Sequence, residues 1–160
     1  MVPPGPASGQ DSCAIPGSVE NVALAVVIPV HNEGANIATL INEVVLALRG
    51  KIDFEIIVAD DASDDGTVEA LMGVRANVPE LRVLRHVRHS GQSAGVFTGV
   101  RAARATWIAT IDGDGQNDPA DILKLVARRD REGPIQALLV AGRRATRQDT
   151  LRKRVQSRIA

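Results

Sequence analysis

The feature that most restricts this chain is a repeated switch between two hydrophobic periods. Four apolar runs of strand length occupy residues 23–30, 54–59, 81–86 and 106–111. Most are continuous and β-branched rather than alternating, the pattern of strands buried on both faces of a parallel sheet. Helical spacing fills the intervals. Residues 35–48 place Ile37, Leu40, Ile41, Val44, Val45 and Leu48 on one stripe. Shorter helices are expected over 67–75, after the Asp65-Gly66 turn, and over 93–105, with Val96, Phe97, Val100 and Ala103 facing inward. A fourth is expected over 120–131, where Pro119 suits a first helical position. A fifth strand is read at 137–141. The order βαβαβαβαβ predicts a doubly wound α/β fold with right-handed crossovers, whose ligands bind beyond the carboxyl ends of the strands.

Composition narrows the function. Aromatic residues make up 2% of the chain and Tyr is absent, so the core rests on Val, Ile, Leu and Ala. Few rings are left for stacking on nucleic-acid bases, and a formal net charge of zero gives no field to attract a polyanion. Nucleic acid is therefore not expected as a partner. The charge is nonetheless segregated. Acidic residues cluster at 60–65 and 112–121, and basic ones dominate 143–158. The former suit a cation and the latter an anion, including an anionic lipid surface. Cys13 is the lone cysteine, which excludes an internal disulfide framework and fits a cytoplasmic location. Residues 1–21, rich in Pro, Gly and Ser, read as a flexible leader. Residues 22–160 read as one ligand-binding domain.

The polar turns at the strand ends carry the chemistry. Asp112-Gly113-Asp114-Gly115-Gln116 sets two carboxylates two residues apart where the fourth strand ends. Oxygen ligands of this kind suit Mg²⁺ or Mn²⁺, which complete their shells with water and substrate phosphate. In isolation the same residues also suit a solvated acidic turn, with Asp118 capping the following helix. An EF-hand is excluded, because the sixth and twelfth positions from Asp112 hold Asn117 and Leu123. In Asp60-Asp61-Ala62-Ser63-Asp64-Asp65-Gly66-Thr67, Asp64 or Asp65 is expected to cap the helix from Thr67. Asp60 and Asp61 are left to accept hydrogen bonds from a nucleobase or ribose. In Arg88-His89-Ser90-Gly91-Gln92-Ser93-Ala94-Gly95, running on to Gly99, two readings stand side by side: a helix N-terminus facing phosphate, or glycines at helical spacing for close packing on the sheet. The spacing is not that of a dinucleotide-binding fingerprint. The arginines from Arg143 onward offer planar forks for phosphate, or a solvated basic helix face.

Together these segments resemble the family 2 glycosyltransferases of the GT-A fold, in the branch of dolichyl-phosphate mannose synthase and the polyprenyl-phosphate glycosyltransferases. Four matches come in order. Residues 26–33 resemble the opening strand, with His31 where Tyr is usual. Residues 58–67 resemble the second strand and turn, with Ala62 where Gly is usual. Residues 112–116 resemble the Asp-x-Asp metal motif. Gly142-Arg143-Arg144 through Arg147, Asp149 and Ser157 resembles the phosphate-binding segment.

The resemblance implies a Rossmann-like α/β/α sandwich and a metal-dependent, inverting transfer from a UDP- or GDP-sugar donor to a polyprenyl or dolichyl phosphate. It implies that Pro29, His31, Glu33, Asp60, Asp61, Gly91 and Gln92 bind the nucleotide. Asp112, Asp114 and Gln116 would hold Mg²⁺ or Mn²⁺, with both aspartates catalytic. Arg144, Arg147, Arg154 and Ser157 would bind phosphate. Peripheral contact with the inner face of a membrane is implied as well. Such enzymes continue further, so the chain is read as truncated at its C-terminus with an incomplete acceptor region. A non-catalytic nucleotide-sugar-binding module is the alternative. A nucleotidyltransferase fits less well, because residues 31–36 after the first strand carry no Lys or Arg.

Overall fold

The computed structural model describes residues 22–132 and 138–142. Four strands, β1 (Leu24–Val30), β2 (Phe54–Asp60), β3 (Leu81–Arg85) and β4 (Trp107–Thr110), alternate with four helices. These are α1 (Ile37–Leu48), α2 (Thr67–Arg75), α3 (Gln92–Ala102) and α4 (Asp121–Arg131). The sheet order is β3-β2-β1-β4 and every pairing is parallel. The strand order reverses between β1 and β4, so the ends of these strands open a crevice where such folds take ligands.

All seven residues of β1 and all seven of β2 are buried, including two carboxylates of β2, Glu55 and Asp60, among otherwise apolar runs. The two faces of the sheet differ in volume. On one, Leu24, Val26, Ile28 and Val30 of β1 join Ile56 and Val58 of β2 in the main core. There they meet the α1 stripe, Leu71 of α2 and Ile122 of α4. On the other, Ala25, Val27 and Ile57 form a thin layer beneath α3. Arg129 lies over the Trp107 ring, 5.1 Å from its centroid, and ties α4 to β4.

The thin layer exists because α3 presents glycine to the sheet. A Cβ at Gly99 would fall 2.4 Å from Val27 Cγ1, and one at Gly95 would fall 3.0 Å from the Pro29 Cβ. The packing reading of the glycine spacing therefore holds. The expected inward set is corrected in part. Ala103 does pack toward this layer, but Phe97 and Val100 are exposed and Val96 is half-buried, since the glycines have taken the inner face. The helix also ends before residue 105. Ala103 is extended, and the Arg104 amide donates to Glu55 Oε1 at 2.7 Å.

A second correction concerns the fifth strand. Residues 138–141 form no strand, and Leu139 is 91% exposed where a strand buried in the sheet would cover it. Residue 137 lies outside the described residues, as do 1–21 and 143–160. The leader and Arg144, Arg147, Arg154 and Ser157 thus fall outside the described residues.

Candidate functional site

The loop leaving β1 is stitched to the loop leaving β2. Asn32, in the left-handed region at φ 57°, donates its amide to Ser63 Oγ at 2.9 Å and accepts the Asp64 amide on Oδ1 at 3.0 Å. The Glu33 amide donates to Thr67 Oγ1 at 3.0 Å, and the Gly34 amide to Asp65 Oδ2 at 3.0 Å. Asp65 Oδ1 also accepts the Thr67 amide, so Asp65 closes the start of α2. Those hydrogen bonds, the Thr67 hydroxyl first, hold its carboxyl below the usual carboxylate range.

Asp60 and Asp61 part company. Asp60 is wholly buried. It accepts the Ser63 amide at 3.3 Å, and its Oδ2 lies 3.2 Å from Arg85 Nε without an aligned hydrogen bond, neutralised by charge alone. It braces the β2 turn and does not line the cavity at this edge of the sheet. Asp61, 2% exposed, gathers donors instead. Its Oδ1 accepts from His86 Nδ1 at 2.7 Å and from the Ser90 amide at 2.9 Å. Its Oδ2 accepts from the Gly91 amide at 2.6 Å, and His89 Nδ1 stands 2.9 Å away. Burial opposes ionisation here. The hydrogen bonds from His86, Gly91 and Ser90, with the charge of His89, outweigh it and hold the carboxyl below its ordinary range. His86 is itself fixed at the far side of its ring by Thr98 Oγ1, 2.8 Å from Nε2. Gly91, at φ +91°, thus serves as an anchor for Asp61 where α3 begins.

The acidic turn after β4 completes the arrangement. Gly113 sits between the carboxylates because nothing larger fits; a Cβ there would fall 2.6 Å from Val30 Cγ1. Asp112 Oδ1 accepts from Gln92 Nε2 at 2.7 Å, joining the first residue of α3 to the turn. Asp114 Oδ1 accepts the Gln116 amide at 3.0 Å.

These pieces enclose a cavity of about 330 Å³ lined by Pro29, Val30, His31, Glu33, Asp61, His89, Gln92, Asp112, Gly113 and Asp114. Seven of the ten are residues expected from the sequence. Asp60, Gly91 and the Gln116 side chain are not brought to it. His89 lies in the segment singled out before α3 but was given no role there; its place beside the small residues was the available signal. Asp112 and Asp114 are both half-buried, and no cluster of three or more His, Cys, Asp or Glu occurs among the described residues. Two carboxylates lining one cavity do not make a closed cage, but they suit a hard cation that takes its remaining ligands from water and phosphate.

The sequence profile of glycosyl transferase family 2 matches residues 25–159. The chain belongs to that family. It is 36% identical over 135 residues to the dodecaprenyl-phosphate galacturonate synthase of Rhizobium johnstonii, an alignment covering 83% of this chain and 39% of that protein. It is likewise 36% identical over 145 residues to the undecaprenyl-phosphate 4-deoxy-4-formamido-L-arabinose transferase of Pectobacterium carotovorum, covering 88% of this chain and 42% of the relative. The chain thus spans about two fifths of the length of these family members. Among solved structures, the fold is similar to the mannosyltransferase PcManGT from Pyrobaculum calidifontis in complex with GDP-Man and Mn²⁺. The TM-score there is 0.57 at 22% identity, covering 66% of this chain and 31% of that one. Similarity to S. aureus TarS 1-349 in complex with UDP-GlcNAc gives a TM-score of 0.59 at 24% identity, over 69% of this chain and 31% of the other. The expected GT-A architecture is thereby established.

Proposed function

We propose that this domain is the donor-binding part of an inverting, metal-dependent glycosyltransferase that moves a sugar from a UDP- or GDP-sugar to a polyprenyl phosphate. One observation carries the reading. A single cavity at the β1–β4 crevice is lined both by His31, Glu33 and Asp61 and by the paired carboxylates Asp112 and Asp114. The names of the Rhizobium and Pectobacterium relatives, a dodecaprenyl-phosphate synthase and an undecaprenyl-phosphate transferase, support the acceptor class.

In this reading Pro29, His31 and Glu33 shape the floor for base and ribose. Asp112 and Asp114 would hold Mg²⁺ or Mn²⁺, and Gln92 steadies Asp112 through its amide. The cation would supply Lewis-acid stabilisation of the departing nucleoside diphosphate. An acceptor phosphate is already ionised at neutral pH, so attack on the anomeric carbon from the opposite face needs no strong base from the chain. Arg144, Arg147, Arg154 and Ser157 are assigned to phosphate on sequence alone, as is Gln116 to the metal. No helix among the described residues is long and apolar enough to cross a membrane. Contact with lipid is accordingly assigned to the basic segment, on the cytoplasmic face.

Calorimetric titration with UDP- and GDP-sugars, with and without Mn²⁺, tests this. Metal-dependent binding of at least one donor is expected. Failure of every donor in the presence of metal would sink the reading. A labelled-sugar transfer assay with a polyprenyl phosphate then separates an enzyme from a binding module.

A further inference from the structure

Charge in this chain balances overall, 19 basic residues against 19 acidic, but not locally. Residues 81–111, from β3 through α3 to the end of β4, hold five arginines and neither Asp nor Glu. Three of the five are tied to carboxylates buried in β2, Arg82 and Arg104 to Glu55 and Arg85 to Asp60. Arg88 and Arg101 are exposed and have no acidic partner among the described residues. On α4, by contrast, Lys124, Arg128 and Arg129 each have an acidic neighbour.

Apolar surface is exposed on the same side. With Gly95 and Gly99 turned to the sheet, Phe97 and Val100 stand on the outer side of α3, 67% and 38% exposed. Ile108 of β4 is in register with Ala25 of the thin layer, so it shares the α3 side of the sheet, and it is 36% exposed. Val87 is fully exposed on the loop that runs from His86, bonded to Thr98 of α3, to His89 in the cavity. Aromatic residues are scarce here, two Phe and one Trp. Phe54 is buried and Trp107 is half-buried under Arg129, so Phe97 is the aromatic ring given to solvent.

Exposed apolar side chains among unpaired guanidinium groups suit a bilayer that contains anionic lipid. The ring and aliphatic groups enter the acyl boundary, and the arginines reach back to lipid phosphate. Other occupants fit less well. A second copy would set arginine against arginine, and residues 143–158, dominated by Arg, would meet like charge. We infer that the α3 face, through Val87, Arg88, Phe97, Val100 and Arg101, docks this domain on an anionic membrane surface. Docking this way lays α3 along the bilayer and brings the loop carrying His89 next to the headgroups. It gives the domain a lipid contact of its own, besides the basic segment, and a defined orientation. None of the five residues lines the cavity, so docking is separable from donor binding.

The test mixes the full chain with phosphatidylcholine vesicles containing about one third phosphatidylglycerol and reads co-sedimentation. Arg88→Glu combined with Arg101→Glu should weaken binding at least about tenfold, and Phe97→Ser about fivefold. Phe97→Ser should leave the melting temperature and Mn²⁺-dependent donor binding as in the parent. Two reporters then locate the contact. Phe97→Trp marks the α3 face, and Leu46→Trp, at a position 79% exposed on α1, marks the opposite face. Bromine-labelled acyl chains should quench the first and spare the second, over the same Trp107 background. Vesicle binding unchanged by the α3 substitutions, or quenching at position 46 equal to that at 97, overturns the docking face. So does a reporter at position 97 already shielded from acrylamide without vesicles, which marks cover by another part of the chain or a second copy. Binding to single-stranded DNA with none to vesicles overturns it as well. If no donor binds while the vesicle results hold, the proposed function falls and the docking face stands.

Discussion

Replacement of Asp61 by asparagine keeps shape and removes charge, so it measures what the carboxylate holds together. The amide has one acceptor where the carboxylate had two. With its oxygen toward Gly91 and Ser90, its NH₂ faces His86 Nδ1, and His86 can move its proton to Nε2 and donate to Thr98. No donor need be orphaned. The loss is the charge assistance on the hydrogen bonds from the Ser90 and Gly91 amides and from His86. Bonds to ionised acceptors contribute about 1 kcal/mol more than neutral ones. Two to three such bonds give about 2 kcal/mol. With a urea m-value of about 1.5 kcal/mol/M, the unfolding midpoint should fall by about 1.3 M at pH 7. The pH dependence has a definite sign. The folded carboxyl titrates below its ordinary value and the unfolded one at about 3.9. The contribution is therefore complete above about pH 5 and is lost as pH falls through the folded value. Parent and variant should converge in acid. Equal midpoints at pH 7, or a gap that stays constant down to about pH 3, would refute the account of Asp61 as an ionised hub.

Three further outcomes are expected. Gly99→Ala drives a methyl into Val27 and should cost about 1–3 kcal/mol in denaturant unfolding, part of it recovered when Val27→Ala is added. Asp114→Asn should weaken Mn²⁺-dependent donor binding at least about tenfold in calorimetry without lowering the melting temperature, and unchanged affinity would remove it from the metal role. Glu55 is 1% exposed and accepts from Arg82 Nη1, the Arg104 amide and Arg104 Nε. Burial works against its charge, but these bonds prevail and lower its titration. Glu55→Gln should therefore cost about 2 kcal/mol in urea unfolding at neutral pH, and less in acid.

The fold was readable where burial alone writes the sequence. Continuous apolar runs located β1 and β2 to within a residue, and the α1 stripe matched its buried face throughout. Reading failed where a helix inverts the usual rule. Along α3 the glycines, not Val96, Phe97 and Val100, mark the inner face, because the sheet leaves no room for side chains there. The run at 137–141 had strand composition, but composition supplies no neighbour to pair with. Most of the cavity was legible because polar turns after parallel strands must converge at one edge of the sheet. The hydrogen bonding of Asp61 was not, since His86, Ser90 and Gly91 lie 25 to 30 residues along the chain. Only the crossover through β3 brings them to it.

The stitching between the β1 and β2 loops also sets a difference in stiffness across the cavity. Asn32, Glu33 and Gly34 are held by hydrogen bonds spanning 31 to 34 residues, while the described side-chain bonds of the Asp112 turn are Gln92 on one carboxylate and a local bond to Gln116 on the other. Amide hydrogens at 32–34 should exchange slowly with solvent and those at 113–116 quickly. A donor arriving at such a site meets a rigid seat for its nucleoside and a yielding one for its diphosphate. The nucleoside would engage first, and the acidic turn would then settle around the phosphates and their cation.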